Sequence, residues 1–336
     1  MREILYLQAI NEALEEEMRR DEKVFIIGES VQGGTFNTTM GLVQKFGPER
    51  VMDTPISESA VAGAAVGAAL AGYRPVADLM FADFMYCCAD EVFLKAAPWH
   101  FLHGRKVNVP LVFKAAIGGY AKLCNEHSRT MEAMVLHHPG LKLALPSNPY
   151  DAKGLLKTAI RDNNPVCYFY HKQLLPMVGP VPEEEYTVPF GVAEVKREGT
   201  DVTVVATSFM VQVALGVAAE LEGKVSLEVI DPRTLEPLDL ETILKSVRKT
   251  GRAVILDEDT LRCGVGAEIG MQIMENAFDA LDAPVKRIGA ANMPIPGGVL
   301  EQYCLPQPQQ LADAVTSLLG MKRIELKNQT AGIKLF

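Results

Sequence analysis

Short apolar runs alternate with stretches of helical period along almost the whole chain, and this alternation restricts the fold more than any other feature. Leu7, Ile10, Leu14 and Met18 recur at helical spacing, and the run VFIIG at 24–28 follows as a short buried strand. RPVADLM follows a helix of small residues at about 58–72, and VPLVF at 109–113 follows an aromatic helix at about 85–104. After a loop around Gly118–Glu126 come a helix from about Ser128, LKLAL at 141–145, a helix at about 150–162, and VCYFY at 166–170. Strands that alternate with helices imply an α/β fold with a mainly parallel sheet covered on both faces.

The pattern lapses between Gln173 and Thr200, where LLPMVGPVPEEEYTVPFG carries four prolines and an acidic cluster and reads as an ordered connector. It then restarts with VTVVA at 202–206, VSLEVI at 225–230 and AVILDE at 253–258, each followed by a helical stretch. With 336 residues, two domains are the natural expectation. The boundaries expected are a domain over 1–175, a connector over 176–199, a smaller α/β domain over 200–325 and a tail over 326–336.

Bulk properties exclude several classes. A net charge of −9 argues against a general nucleic-acid binder, which carries a basic stripe. The most apolar run, Ala60 to Gly72, is shorter than the roughly 20 residues of a membrane span, so no membrane attachment is expected. Six cysteines without a CxxC spacing suit structural thiols in a reducing compartment. With Met1 leading straight into an amphipathic pattern, a cytoplasmic protein is expected. Gly264, Gly266 and Gly270 open a helix after a strand, but their spacing is GxGxxxG, and close packing accounts for them better than a dinucleotide site. No GxSxG or HExxH occurs, and the pairs His137–His138 and His100–His103 have apolar neighbours that suit packing or surface placement.

The informative stretch is DTPISESAVAGAAVGAALAGYRPV at 53–76. Glu58 lies at the start of a helix made almost wholly of small residues. An acid in a first helical turn complements the helix dipole, by a few tenths to about 1 kcal/mol, which explains a glutamate there. It does not explain the tiny residues behind it, which let another backbone or subunit approach closely. A carboxyl at that place can act as a proton donor to a heteroaromatic nitrogen.

This segment resembles the pyrimidine-binding domain of thiamine-diphosphate enzymes, specifically the beta subunits of pyruvate, branched-chain 2-oxo acid and acetoin dehydrogenase complexes. The likeness runs through GESVQGGTF at 28–36, FGPERVMDTPISE at 46–58 and MFADFMY at 80–86. It continues in HHPGLKLALPSNPYDAKGLLKTAIRDNNPV at 137–166, EVIDPRTLEPLD at 228–239 and SVRKTGRAVILDE at 246–258, and covers residues 4–320 in order. It implies a parallel-sheet pyrimidine-binding domain followed by a smaller transketolase C-terminal-like α/β domain.

The resemblance further implies site residues. The glutamate matching Glu58 hydrogen-bonds the pyrimidine nitrogen of the cofactor and favours its imino tautomer. Phe84 matches an aromatic that packs near that ring, and Glu29 an acidic residue close to the cofactor, although a loop carboxylate bonded to backbone amides is the alternative for Glu29. His127 matches a histidine on the substrate side, used for intermediate stabilisation or proton transfer during acyl transfer to a lipoyl group. Oxygens matching Leu111, Ala159, Ile160, Asp162 and Asn164 bind a structural potassium ion, against which stands an ordinary helix C-terminus. The chain departs from the family at KLCNEHSR, where Glu126 and Arg129 replace glutamines around the histidine; Arg129 meets a substrate carboxylate or pairs with Glu126.

The family's magnesium-diphosphate signature, GDG with a downstream asparagine, is missing; the dipeptide Gly-Asp never occurs. The resemblance therefore implies an alpha subunit that holds Mg2+ and the diphosphate, in an alpha2beta2 heterotetramer with thiamine diphosphate shared between the chains. It also implies a lipoyl-bearing acyltransferase core as partner and a small 2-oxo acid or acetoin as substrate. Oxidative decarboxylation of pyruvate or a branched-chain 2-oxo acid is the leading expectation. Acetoin cleavage, a split transketolase-like carboligase and, last, a non-catalytic scaffold are the rivals.

Overall fold

A computed structural model describes residues 1–328, so residues 329–336 of the expected tail lie outside the described residues. The chain divides into two units. The first comprises Met1–Ile117, Met134–Phe190 and Leu235–Pro237; the second comprises Gly118–Ala133, Gly191–Thr234 and the chain from Leu238 onward.

In the first part of the chain the strands are β1 (Arg2–Leu5), β2 (Val24–Gly28), β3 (Val51–Asp53), β4 (Arg74–Phe81), β5 (Val112–Ile117), β6 (Lys142–Ala144), β7 (Val166–His171) and β8 (Val178–Val181). The helices are α1 (Tyr6–Arg20), α2 (Leu42–Phe46), α3 (Glu58–Leu70), α4 (Ala97–Leu102), α5 (Glu132–Leu136) and α6 (Pro149–Arg161). Later come β9 (Glu194–Arg197), β10 (Val202–Ala206), β11 (Leu227–Asp231), β12 (Thr234–Glu236), β13 (Ala253–Thr260) and β14 (Lys286–Ala290), with α7 (Phe209–Glu220), α8 (Leu240–Thr250), α9 (Val265–Ala277) and α10 (Pro308–Leu318).

The first unit is built on a seven-stranded sheet ordered β12-β6-β7-β5-β4-β2-β3, and the pairs from β6 to β3 are all parallel. Because helices cover both faces, β5 and β7 are buried at every position, and VCYFYH reads as a continuous apolar run instead of an alternating one. The helix α1 buries Ala9, Ile10, Ala13, Leu14 and Met18 on one face. On α6, Lys153 and Lys157 are buried with their ammonium groups on Glu12, Glu16 and Glu185, so their stems pack while their charges stay paired.

The second unit carries a five-stranded sheet ordered β14-β13-β10-β11-β9, parallel except for the edge strand β9. The stretch expected as a connector is divided between the units at Phe190–Gly191: β8 lies antiparallel to β1 in the first, and β9 antiparallel to β11 in the second. The architecture is therefore an α/β unit with a parallel sheet, followed by a smaller α/β unit. No helix among the described residues is long and apolar enough to cross a membrane.

Two elements differ from the periodicity reading. The strand expected at 109–113 lies at Val112–Ile117, because Pro110 has no N–H to give to a ladder. The aromatic helix expected at 85–104 breaks into a 3-10 stretch at Ala82–Cys88, a π-helical stretch at Asp90–Ala96 and α4. Pro98 sits in the first turn of α4, where its missing N–H is tolerated.

Candidate active site

Three neighbouring strands of the first unit, β3, β2 and β4, deliver their C-terminal ends to one place, the edge of a parallel sheet where ligands bind in folds of this class. Close approach of β2 and β4 is required there. A Cβ on Gly28, the last residue of β2, would meet the Asp78 carbonyl oxygen at 2.4 Å. Glu29 leaves β2 at once, and Thr54 follows β3, held by its N–H to the Gly28 carbonyl at 3.0 Å. Ser57 precedes the first turn of α3, and Glu58 opens that turn with its carboxyl half-buried. The Ser59 hydroxyl donates to the Cys87 carbonyl at 2.6 Å and ties α3 to the turn after β4.

Glu29, Thr54, Glu58, Val61, Met80 and Phe84 line one small, shallow depression. The structure thus brings together three of the residues singled out from sequence: Glu29, Glu58 and Phe84. Neither Glu29 nor Glu58 accepts a hydrogen bond from any described residue, and the buried hydroxyl of Thr54 also has no partner. Phe84 is half-buried and stands edge-on to Phe81 at 5.5 Å, and Phe81 in turn to Phe36 at 5.2 Å. An aromatic wall, two carboxyls and one unsatisfied hydroxyl suit a flat heteroaromatic ring with polar nitrogens. No cationic side chain lines the depression among the described residues.

Sequence reasoning missed the support behind this depression. Asp78 and Lys114 are register partners on β4 and β5, and their ion pair is 2.6 Å long with Lys114 wholly buried. Lys114 also donates to Thr38 Oγ1 at 2.9 Å, and its ammonium lies 4.8 Å from the centre of the Tyr170 ring. The other oxygen of Asp78 accepts the Met80 N–H at 3.0 Å and fixes Met80 at φ +64°. A methionine there costs about 1–3 kcal/mol, tolerated only where the surroundings enforce it. The register between β4 and β5 shifts at this point, between Asp78 and Phe81. The available signal was a single charge in each of two buried apolar runs, since such charges require partners.

His127 does not line this depression; it belongs to the second unit. It ends the 3-10 turn Asn125–His127, is half-buried, and follows three residues of positive φ, Tyr120, Lys122 and Cys124. Tyr120 O–H donates to the Pro306 carbonyl at 2.7 Å, and the Lys122 N–H to Glu301 Oε2 at 3.0 Å. The Asn125 amide oxygen takes the Ile295 N–H at 3.2 Å and Arg129 Nε at 3.3 Å. Glu126 is exposed and makes no ion pair among the described residues, so the expected alternative of an Arg129–Glu126 pair is not formed.

The five residues singled out for an ion, Leu111, Ala159, Ile160, Asp162 and Asn164, gather around the end of α6. Arg74 Nη1 donates to the carbonyls of Ile160 at 3.0 Å and Asp162 at 2.9 Å. The Ala159 carbonyl accepts the Asp162 N–H at 3.3 Å, and the Leu111 carbonyl the Val166 N–H at 2.8 Å. Burial works against ionisation of Asp162, but Lys142 at 2.5 Å and the Asn164 amides outweigh it and hold the carboxyl below its ordinary value. Arg74 thus already supplies positive charge to the negative end of the helix.

Comparison with known proteins adds independent findings. Residues 2–178 match the family described as transketolase, pyrimidine binding domain, and residues 191–311 match transketolase, C-terminal domain. The chain is 44% identical to the acetoin:2,6-dichlorophenolindophenol oxidoreductase subunit beta of Bacillus subtilis, over 93% of this chain and 96% of that one. It is 42% identical to the 2-oxoisovalerate dehydrogenase subunit beta of Bacillus subtilis and 42% identical to the pyruvate dehydrogenase E1 component subunit beta of Rickettsia felis, in each case over 93% of this chain and 97% of the relative. Among solved structures, a split gene transketolase described as an inactive beta4 tetramer shares the fold, with a TM-score of 0.77 at 24% identity over 95% of this chain and 99% of that one.

Proposed function

The chain belongs to the beta subunits of thiamine-diphosphate-dependent 2-oxo acid and acetoin dehydrogenases, and from that premise we propose that it supplies the pyrimidine half of an active site completed by an alpha subunit. One observation carries this reading: Glu29, Glu58 and Phe84 line a single depression that also holds the unpartnered Thr54 hydroxyl. These groups fit the aminopyrimidine of thiamine diphosphate. When bound, the cofactor supplies the nucleophilic carbon and the electron sink for cleavage next to a carbonyl.

This chain's own residues hold and move protons around it. The Glu58 carboxyl, carried on the rigid first turn of α3, shares a proton with a ring nitrogen and so sets the tautomer of the pyrimidine. Phe84 offers a ring face, and Glu29 a second carboxyl at the rim. His127 serves the substrate side by moving a proton as the acyl group leaves for a lipoyl acceptor. The alpha subunit holds Mg2+ and the diphosphate, because this sequence has no Gly-Asp dipeptide from which the ligand motif could be made. Ala60, Ala64 and Gly67 form an exposed stripe of minimal side chains along α3, a surface against which a partner backbone can lie closely in an alpha2beta2 assembly. A lipoyl-bearing acyltransferase is the further partner.

Oxidative decarboxylation of pyruvate or a branched-chain 2-oxo acid is the proposed reaction, with acetoin cleavage as the second reading because the acetoin relative is at 44% identity beside 42% for the two others. Co-purification with the alpha partner, followed by a screen of pyruvate, branched-chain 2-oxo acids and acetoin with an artificial electron acceptor, decides between them. One substrate class is expected to turn over only when both chains and thiamine diphosphate are present; turnover by the beta chain alone would overturn the half-site.

The potassium ion at the end of α6 is proposed as a structural ligand with oxygens from Leu111, Ala159, Ile160, Asp162 and Asn164. Replacing sodium by potassium at constant ionic strength should raise the unfolding temperature, as binding to the folded state alone must. Equal unfolding temperatures in the two salts would mean that Arg74 and Lys142 suffice.

A further inference from the structure

The loop that carries His127 is gripped at both ends by one strand of its own unit. The end of β13 contains Asp257, Glu258 and Asp259 in succession. Glu258, buried, accepts the N–H of Gly119 at 2.5 Å where the loop begins. Where the loop ends, the amide of Ala133 turns towards the carboxyl of Asp259, and Glu132 faces both Asp257 and Asp259. Between these grips lie Tyr120, Lys122 and Cys124, all at positive φ. A loop with so many unfavourable backbone angles keeps its shape only while its ends are held.

The grip at the far end has an unusual composition. Glu132 and Asp257 are 2% and 3% exposed, and Asp259 is mostly buried. The groups that act on them most strongly include Thr130 on the loop, Thr207 after β10, Glu258 and the Thr260 amide on β13, and the amides of Val265 and Gly266 at the start of α9. None of these is a cation. Glu132 Oε2, Asp257 Oδ2 and Asp259 Oδ2 are buried without a hydrogen-bond partner. Three carboxyls at close quarters, each with a buried oxygen that has no hydrogen-bond partner among the described residues, share protons to stay together.

We propose that Glu132, Asp257 and Asp259 form a proton-held latch that positions His127, closed while the trio shares protons and released as they are lost. Glu258 is the fixed end of the same clamp. All four are positioning residues, and the inference rests on the proposed role of His127 only for its consequence in catalysis.

Burial raises all three carboxyls, and repulsion from neighbouring acids adds to it, bringing Asp259 to about 7. An open loop returns them to the ordinary carboxylate range. The closed state therefore binds more protons, so its advantage is complete below that range and is lost as pH rises through the closed-state values. Within that window each proton released makes opening about tenfold easier per pH unit.

The test is hydrogen–deuterium exchange of peptides covering 118–133 in the full-length chain with its alpha partner, corrected for intrinsic rates, from pH 5.5 to 8.5. Exchange of these peptides should rise at least about tenfold by pH 7.5, while peptides of β10 stay level. Glu132→Gln keeps the size of the side chain without its charge, and should cut the rise to about threefold or less and move the alkaline limb of kcat upward at little change in KM. If Glu132→Gln does not fold, Asp259→Asn should show the same flattening. A level wild-type response, or a variant with the full wild-type rise, overturns the latch. Exchange is read without turnover, so an inactive complex whose loop still opens with pH would overturn the proposed function and leave the latch standing.

Discussion

Glu58→Gln in the complex with the alpha partner is expected to lower turnover by about 10²–10⁴-fold, the usual contribution of a positioned acid–base group, with little change in stability. Stability should hold because Glu58 is half-buried and has no hydrogen-bond partner among the described residues. At most it loses the interaction of an acid with the start of α3, a few tenths to about 1 kcal/mol. Glutamine keeps the shape of the side chain but cannot exchange a proton with a ring nitrogen. The measurement is single-turnover and steady-state rate against saturating thiamine diphosphate, with cofactor affinity determined separately by calorimetry. A loss confined to affinity would make Glu58 a binding residue only. A rate near that of the wild type would remove Glu58 from the catalytic machinery. Glu29, which lines the same depression from the end of β2, is the natural control.

What the sequence made legible follows from how local each feature is. The parallel sheets were readable because strands covered on both faces must be continuously apolar, as in VCYFYH. Glu58 stood out as a candidate because an acid before a run of alanines and glycines breaks the composition on which it stands. The family likeness added Phe84, Glu29 and His127, none of which periodicity or spacing could separate from ordinary residues. The Asp78–Lys114 pair was not read because its meaning depends on register: the two residues are 36 apart and become partners only when β4 lies beside β5. The allegiance of residues 118–133 was hidden for the same reason. Their hold on the second unit comes from Glu258, Glu301 and Pro306, all more than 100 residues downstream. Strand slippage also escaped the pattern at Pro110, where apolar periodicity continues although the hydrogen-bond donor is absent.

Lys114→Met should be the most destabilising single change in the first unit's sheet, by about 3–5 kcal/mol. The substitution leaves Asp78, 8% exposed, with an uncompensated charge beneath the proposed cofactor ring. Dispersion gained by methionine cannot offset that, because the lysine stem already packs in the same space; the loss is electrostatic. The carboxyl's second oxygen still accepts the Met80 N–H, but with its partner gone Asp78 must either take up a proton or draw in water. Either response loosens the bend that keeps Met80 at φ +64°. A denaturation midpoint lowered without a change in slope would register the effect on stability alone. The decisive variant is the double one, Asp78→Asn with Lys114→Met, which removes both charges and should recover at least about 2 kcal/mol of the single mutant's loss. Additive effects would mean that the pair is not coupled and that Lys114 matters chiefly through Thr38 and the Tyr170 ring. If coupling is found and the double variant folds but binds thiamine diphosphate poorly, the ion pair's role is to shape the floor of the depression. Two apolar residues could fill the same volume in the sheet, but neither could accept the Met80 amide.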